Sequence, residues 1–102
     1  MADIKQARKA VIERILEGDG RAPQAQRRAA FDNTGLPEPL RTLVDKAARR
    51  AHGVTDGDVS AARAAGSTED QIFEIVVCAA IGQANRQYDS GCAALEAATH
   101  ED

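Results

Sequence analysis

The stretch from Gly66 to Tyr88, G-S-T-E-D-Q-I-F-E-I-V-V-C-A-A-I-G-Q-A-N-R-Q-Y, constrains this chain more than any other. It opens with hydroxyl residues and acids, the pattern of a capped helix start. It then runs apolar on every side before closing on the polar pair Asn85-Arg86. A helix that is apolar all round has to be buried on all faces, by its own domain or by other copies of the chain. At 102 residues the chain makes one domain, near the low end for a self-sufficient core. Its composition is 43% hydrophobic but only 3% aromatic, with much of the apolar share carried by alanine. Alanine buries little area, so at about 25 cal/mol per Å² one copy gains a modest core. Both points lead to a homo-oligomer.

Helical periodicity and punctuation set the rest of the fold. Ile4, Ala7 or Arg8, Val11 and Ile15 fall at helical spacing between Asp3 and Glu17, and Gly18-Asp19-Gly20 ends that helix. Pro23 suits the first turn of a short second helix reaching about Phe31. Asp32 to Gly35 is a turn cluster. Pro37 and Pro39 then set the start of a third helix running to about His52, with Leu40, Leu43, Val44, Ala47 and Ala51 on one face. Gly53 stops it. Thr55-Asp56-Gly57-Asp58 reads as a capping box for a short helix over 58–65. Ser67 or Thr68 caps the last helix, which is predicted to reach at least Tyr88, pause or kink at Ser90-Gly91, and continue to about Ala98. No segment alternates like a strand. The expected fold is all-α, a single domain of about five helices.

Charge and cysteine content bound the function. The formal charge is -3, with eleven Lys/Arg against seven Asp/Glu in residues 1–50 and two against nine in 51–102. Solvated helix faces account for this, and so does electrostatic pairing of the two halves within or between subunits. Net charge disfavours nucleic acid, although Arg27-Arg28 and Arg49-Arg50 are small basic pairs. The longest apolar run, Ile75 to Ile81, is far short of the roughly 20 residues of a membrane span. The N-terminus has no secretory pattern, and a cytoplasmic location is expected. Cys78 and Cys92 do not make a disulfide framework. No His/Cys/Asp/Glu cluster has metal spacing and no nucleotide fingerprint is present, so neither metal nor cofactor is expected.

The run V-T-D-G-D-V-S-A-A-R-A-A-G-S-T-E-D-Q-I-F-E-I-V-V-C-A-A, Val54 to Ala80, resembles the alkylhydroperoxidase D-like, or carboxymuconolactone decarboxylase-like, superfamily. There a short helix ending in A-x-x-A-G leads to a capped helix of the form G-s-x-e-E-I-x-E, and Gly66, Asp70, Ile72 and Glu74 stand at the matching places. Asn85-Arg86 resembles an N-R pair further along that helix, so the likeness covers residues 40–90. It implies an all-α bundle assembling into trimers, hexamers or similar rings, with a small organic ligand as a possible partner. The peroxidase signature C-x-x-C-x-x-x-H does not carry over. Its cysteine places fall near Ala51 and Val54, its histidine place on Asp58, and its upstream Glu is approached only by the offset Glu38. Without a thiolate at those places the peroxidase mechanism has no nucleophile. Members related to the decarboxylase also lack the cysteine pair.

A few residues remain as candidates for chemistry. Glu74 sits among apolar neighbours and needs a partner such as Arg63 or Arg86, or else lines a small pocket with a raised pKa. Asn85, Arg86 and Tyr88 add polar groups on the same helix, and with Glu74 they form the candidate ligand site. Glu74 and His52 are the candidate catalytic groups, His52 being alternatively a cap at the end of the third helix. Cys78 reads as a core thiol, and Cys92 as an exposed one that a thiol peroxidase would have to use. His100 lies in a polar tail. Ala62, Gly66 and Ile72 have helix-turn-helix spacing, but Glu69, Asp70 and Glu74 would then face phosphate. The leading expectation is a non-redox, homo-oligomeric protein that binds a small molecule or serves assembly. A cofactor-free enzyme acting on a small organic acid, with Glu74, His52 or Arg86, is the alternative.

Overall fold

The computed structural model describes residues 2–99, with side chains from residue 4 onward. It is all-α: α1 (Ala2–Glu17), α2 (Gln24–Asp32), α3 (Leu40–Arg49), a 3-10 turn (Ala51–Gly53), α4 (Asp56–Ala64) and α5 (Glu69–Thr99). Among the described residues there is no strand. His100 lies outside them.

α5 is the spine. At 1.5 Å per residue its 31 residues reach about 46 Å, most of the 56 Å long axis of the molecule. Its inner face carries Ile72, Ile75, Cys78, Ala79 and Gly82 into the core. There they meet Leu40, Leu43, Val44 and Ala47 of α3, Ala30 and Phe31 of α2, Leu16 of α1 and Ala62 of α4. Gly82 lets α2 approach α5 at backbone distance. A Cβ built there would collide with the Phe31 carbonyl oxygen and lie 2.7 Å from the Phe31 carbonyl carbon.

The caps were legible in sequence and are made as expected. Thr55 Oγ1 accepts from the Asp58 N–H at 3.1 Å while the Asp58 carboxylate accepts from the Thr55 N–H at 2.9 Å, starting α4. Of the two cap candidates for α5, Thr68 does the work, in a reciprocal pair with Gln71. α2 ends on Asn33 in the left-handed region (φ 53°), where the Thr34 and Asn33 N–H groups return to Ala29 and Ala30 carbonyls.

Four expectations are corrected. α3 stops at Arg49, three residues before His52, and the chain tightens into the 3-10 turn, so Ala51 is exposed rather than packed with Ala47. α5 continues through Ser90-Gly91 without a break. One glycine costs a helix only about 1 kcal/mol, and the flanking run to Thr99 is rich in alanine. On α1, Leu16 is buried, Ile12 and Ile15 pack partly against the core, and Ile4 and Val11 are 57% and 50% exposed. α5 itself is covered by its own chain on one side only, with Phe73 69% and Leu95 66% exposed.

Among the described residues, ion pairs join the basic half to the acidic half within one chain, Lys46–Asp58 at 2.9 Å and Arg8–Asp89 at 3.0 Å. The Thr55 N–H first, and the Lys46 ammonium second, pull the Asp58 carboxyl below its ordinary value of 3.8. A lowered native pKa gives stability that is complete above that ordinary value and is lost as pH falls through the native one. Thr55→Ala is expected to cost about 1 kcal/mol at neutral pH, read from urea midpoints. The stability gap between the parent and Asp58→Asn is expected to close as pH falls below about 3.8. A gap unchanged at pH 3 would exclude the capping carboxylate as its cause.

Candidate functional site

Continuing the 3.6-residue repeat past the core face gives α5 a second, outward stripe. Phe73, Val77, Ala80, Ala84, Tyr88, Gly91, Leu95 and Ala98 follow one another at steps of three and four. Val77 is half-buried and the others are exposed. From Gln87 to Thr99 every residue is exposed, so the last 13 residues of the helix project beyond the core. Beside the stripe lies a groove of about 430 Å³ between α1 and α5, walled by Ile4, Ala7, Val11, Ile81, Ala84 and Tyr88.

Arg8 ties the rim of that groove together. Its Nη1 donates to Asn85 Oδ1 at 2.7 Å and to Asp89 Oδ1 at 3.0 Å, and its guanidinium carbon stands 4.3 Å from the centre of the Tyr88 ring. These three partners lie within one turn of α5, because positions 85, 88 and 89 share a helix face. The cation is thereby held by an amide, a carboxylate and an aromatic face.

Glu74 serves a different part of the molecule. Its two oxygens each accept from the Arg21 N–H at 2.8 Å, and one accepts from the Ala22 N–H at 3.4 Å. Neither expected partner reaches it, since Arg63 pairs with Glu69 at 3.0 Å. Arg86 donates to the Phe31 carbonyl at 2.6 Å and to Gln83 Oε1 at 2.9 Å, holding the end of α2. The same loop is gripped by Arg27, 5% exposed, which donates to the carbonyls of Ile15, Gly18 and Ala22 at 2.8–3.1 Å. Both side chains crowd Gly20, where an added Cβ would strike the Glu74 carboxylate and lie 3.4 Å from Arg27 Nη1. Glu74 is a clamp on the α1–α2 loop.

The four sequence candidates for a ligand site therefore do not converge. Asn85 and Tyr88 face α1, Arg86 faces α2, and Glu74 stands about 16 Å from Asn85 along the axis, eleven residues at 1.5 Å each. His52 is exposed in the 3-10 turn. Glu38 caps α3, accepting from the Thr42 hydroxyl and N–H and pairing with Arg41. The Thr42 hydroxyl is the largest cause of its lowered pKa. Cys78 is buried, and desolvation pushes its thiol up. Cys92 is exposed, about 21 Å along the same helix. A disulfide needs Cα atoms within about 7 Å, so one chain cannot pair them.

Sequence reasoning missed Arg8 as a hub and Arg27 as an interior cation. Arg8 did carry a signal, since it shares the helical register of Val11 and Ile15 on α1. Among the described residues no three His, Cys, Asp or Glu side chains come together to hold a metal ion, and no helix is long and apolar enough to cross a membrane. Set against family models, curated proteins and solved structures, the chain matches none.

Proposed function

We propose that this chain is a homo-oligomeric assembly protein, of carboxymuconolactone decarboxylase-like type but without thiol peroxidase chemistry. The observation that carries the reading is the outward apolar stripe of α5, which one copy leaves uncovered along about 38 Å. Every residue from Gln87 to Thr99 is exposed in one copy, so a partner surface there would bury apolar area that one copy leaves in water. Apolar patches of this kind on otherwise charged proteins mark interaction sites.

The α1–α5 groove also has the size and lining of a small-molecule pocket, with one guanidinium at its rim. The Arg8 charge is already partly neutralised by Asp89, which weakens its pull on a small organic acid and makes assembly the better reading. Enzyme chemistry finds less support. Glu74 is occupied by backbone N–H groups, Arg86 by a carbonyl, and His52 is exposed in the 3-10 turn.

Light scattering over a dilution series tests the proposal. The parent is expected to keep the mass of a multimer at micromolar concentration. The double variant Phe73→Asp, Leu95→Asp is expected to fall to the 10.8 kDa monomer while keeping a folded helical spectrum, because both side chains are exposed in one copy. A monomeric parent would falsify the reading.

A further inference from the structure

Building on the assembly reading above, we propose that two copies pair antiparallel through α5, about a twofold axis at Ala84. Each α5 then lies along the groove between α1 and α5 of the other copy. The stripe is palindromic in position about Ala84. Antiparallel pairing there sets Phe73 against Leu95, Val77 against Gly91, and Ala80 against Tyr88. Two of these layers put a bulky side chain opposite a small one, and the third joins the two most exposed apolar side chains. Alanine at the axis permits close approach of the two helices. Such a pairing is isologous and closes on itself, as a dimer interface requires.

Charge weighs against the parallel direction. After Arg86 the charged side chains of the chain, Asp89, Glu96, Glu101 and Asp102, are all acidic. A parallel pair would lay one acidic tail against the other. The antiparallel pair instead lays each tail along a half of the partner that carries both signs, with Arg14 lining a hollow there beside Phe73, Val77, Asp19 and Glu74. It also brings opposite ends of the two helix dipoles together. The projecting tail is covered by the first half of the partner's α5, so a single arrangement accounts for both the exposed stripe and the unsupported end.

Disulfide trapping tests the register. Val77→Cys and Gly91→Cys are made separately in a Cys92→Ser background, the buried Cys78 being retained. A side chain at Gly91 meets nothing within 4 Å in one copy. The copies of residue 77, like those of residue 91, would lie about 21 Å apart across the axis, fourteen residues at 1.5 Å each, beyond the roughly 7 Å limit for a disulfide. Under mild oxidation, the 1:1 mixture is expected to give a disulfide-linked dimer and each variant alone is not. Phe73→Cys mixed with Leu95→Cys is a second pair with the same expectation, and light scattering of the parent is run beside both. Linkage within single variants would show a parallel pair. A multimeric parent with no linkage in either mixture would show another face in use. Either result overturns the register and leaves the assembly reading intact, whereas a monomeric parent removes both.

Discussion

Gly82→Ala is expected to cost the fold about 3 kcal/mol, the upper end of what inserting a methyl group into a packed core does. The new Cβ would collide with the Phe31 carbonyl oxygen and sit 2.9 Å from the Phe31 Cα, and backbone cannot step aside as a flexible side chain can. The same substitution at Gly91 has the opposite expected sign. Nothing lies within 4 Å there, so alanine brings its helix preference of about 0.5–1 kcal/mol. Urea unfolding of the two variants beside the parent measures both. A neutral Gly82→Ala would mean that α2 slides along α5 at little cost and that the close crossing is not what fixes it.

Arg27→Met should be nearly as damaging, about 3 kcal/mol, since charge-assisted hydrogen bonds are worth about 1.5–3 kcal/mol each and three carbonyls lose their donor together. Methionine keeps the packing volume and removes only the guanidinium, which isolates the polar contribution. Glu74→Gln is expected to cost less, about 1–2 kcal/mol, because the amide keeps one oxygen for the Arg21 and Ala22 N–H groups. Both residues hold the loop from Gly18 to Ala22, so the double variant should lose less than the two single losses together. Full additivity in chemical denaturation would show two independent roles and overturn the shared clamp.

Much of the fold was legible because its signals are local. Thr55 with Asp58 and Thr68 with Gln71 are capping patterns four residues long, and the glycine and proline clusters between helices mark real loops. Long-range partners were not legible. Glu74 needed a partner, and a basic side chain was the natural guess. Its donors are two backbone N–H groups more than fifty residues earlier, a feature that no side-chain pattern encodes. Arg27 stands in sequence as half of a basic pair with Arg28, yet one is interior and the other exposed. The four candidate residues lie apart for a reason already contained in helix geometry. Asn85 and Arg86 differ by about 100° around the axis, and Glu74 to Tyr88 spans about 21 Å along it, too far for one small ligand. The outward stripe was present in the same residues, and it separates from the inward one only when the core face is known.

The length of α5 limits how this chain can change over time. Each residue of an α-helix turns the chain by about 100°, so one insertion between Gly82 and Tyr88 would swing the whole projecting half by that angle relative to the core face. Arg8 would lose the face on which Asp89 and Tyr88 meet it, and the outward stripe would be cut in two. Substitutions along the helix can be accepted one face at a time, but a change of length acts on both faces at once. Insertions and deletions are therefore expected to be tolerated in the loops, from Gly18 to Pro23 only where the Arg27 and Glu74 clamp is spared, and more freely at the exposed Thr34-Gly35 step, ahead of the buried Leu36. The spine itself behaves as a ruler whose length is fixed by what lies on its two sides.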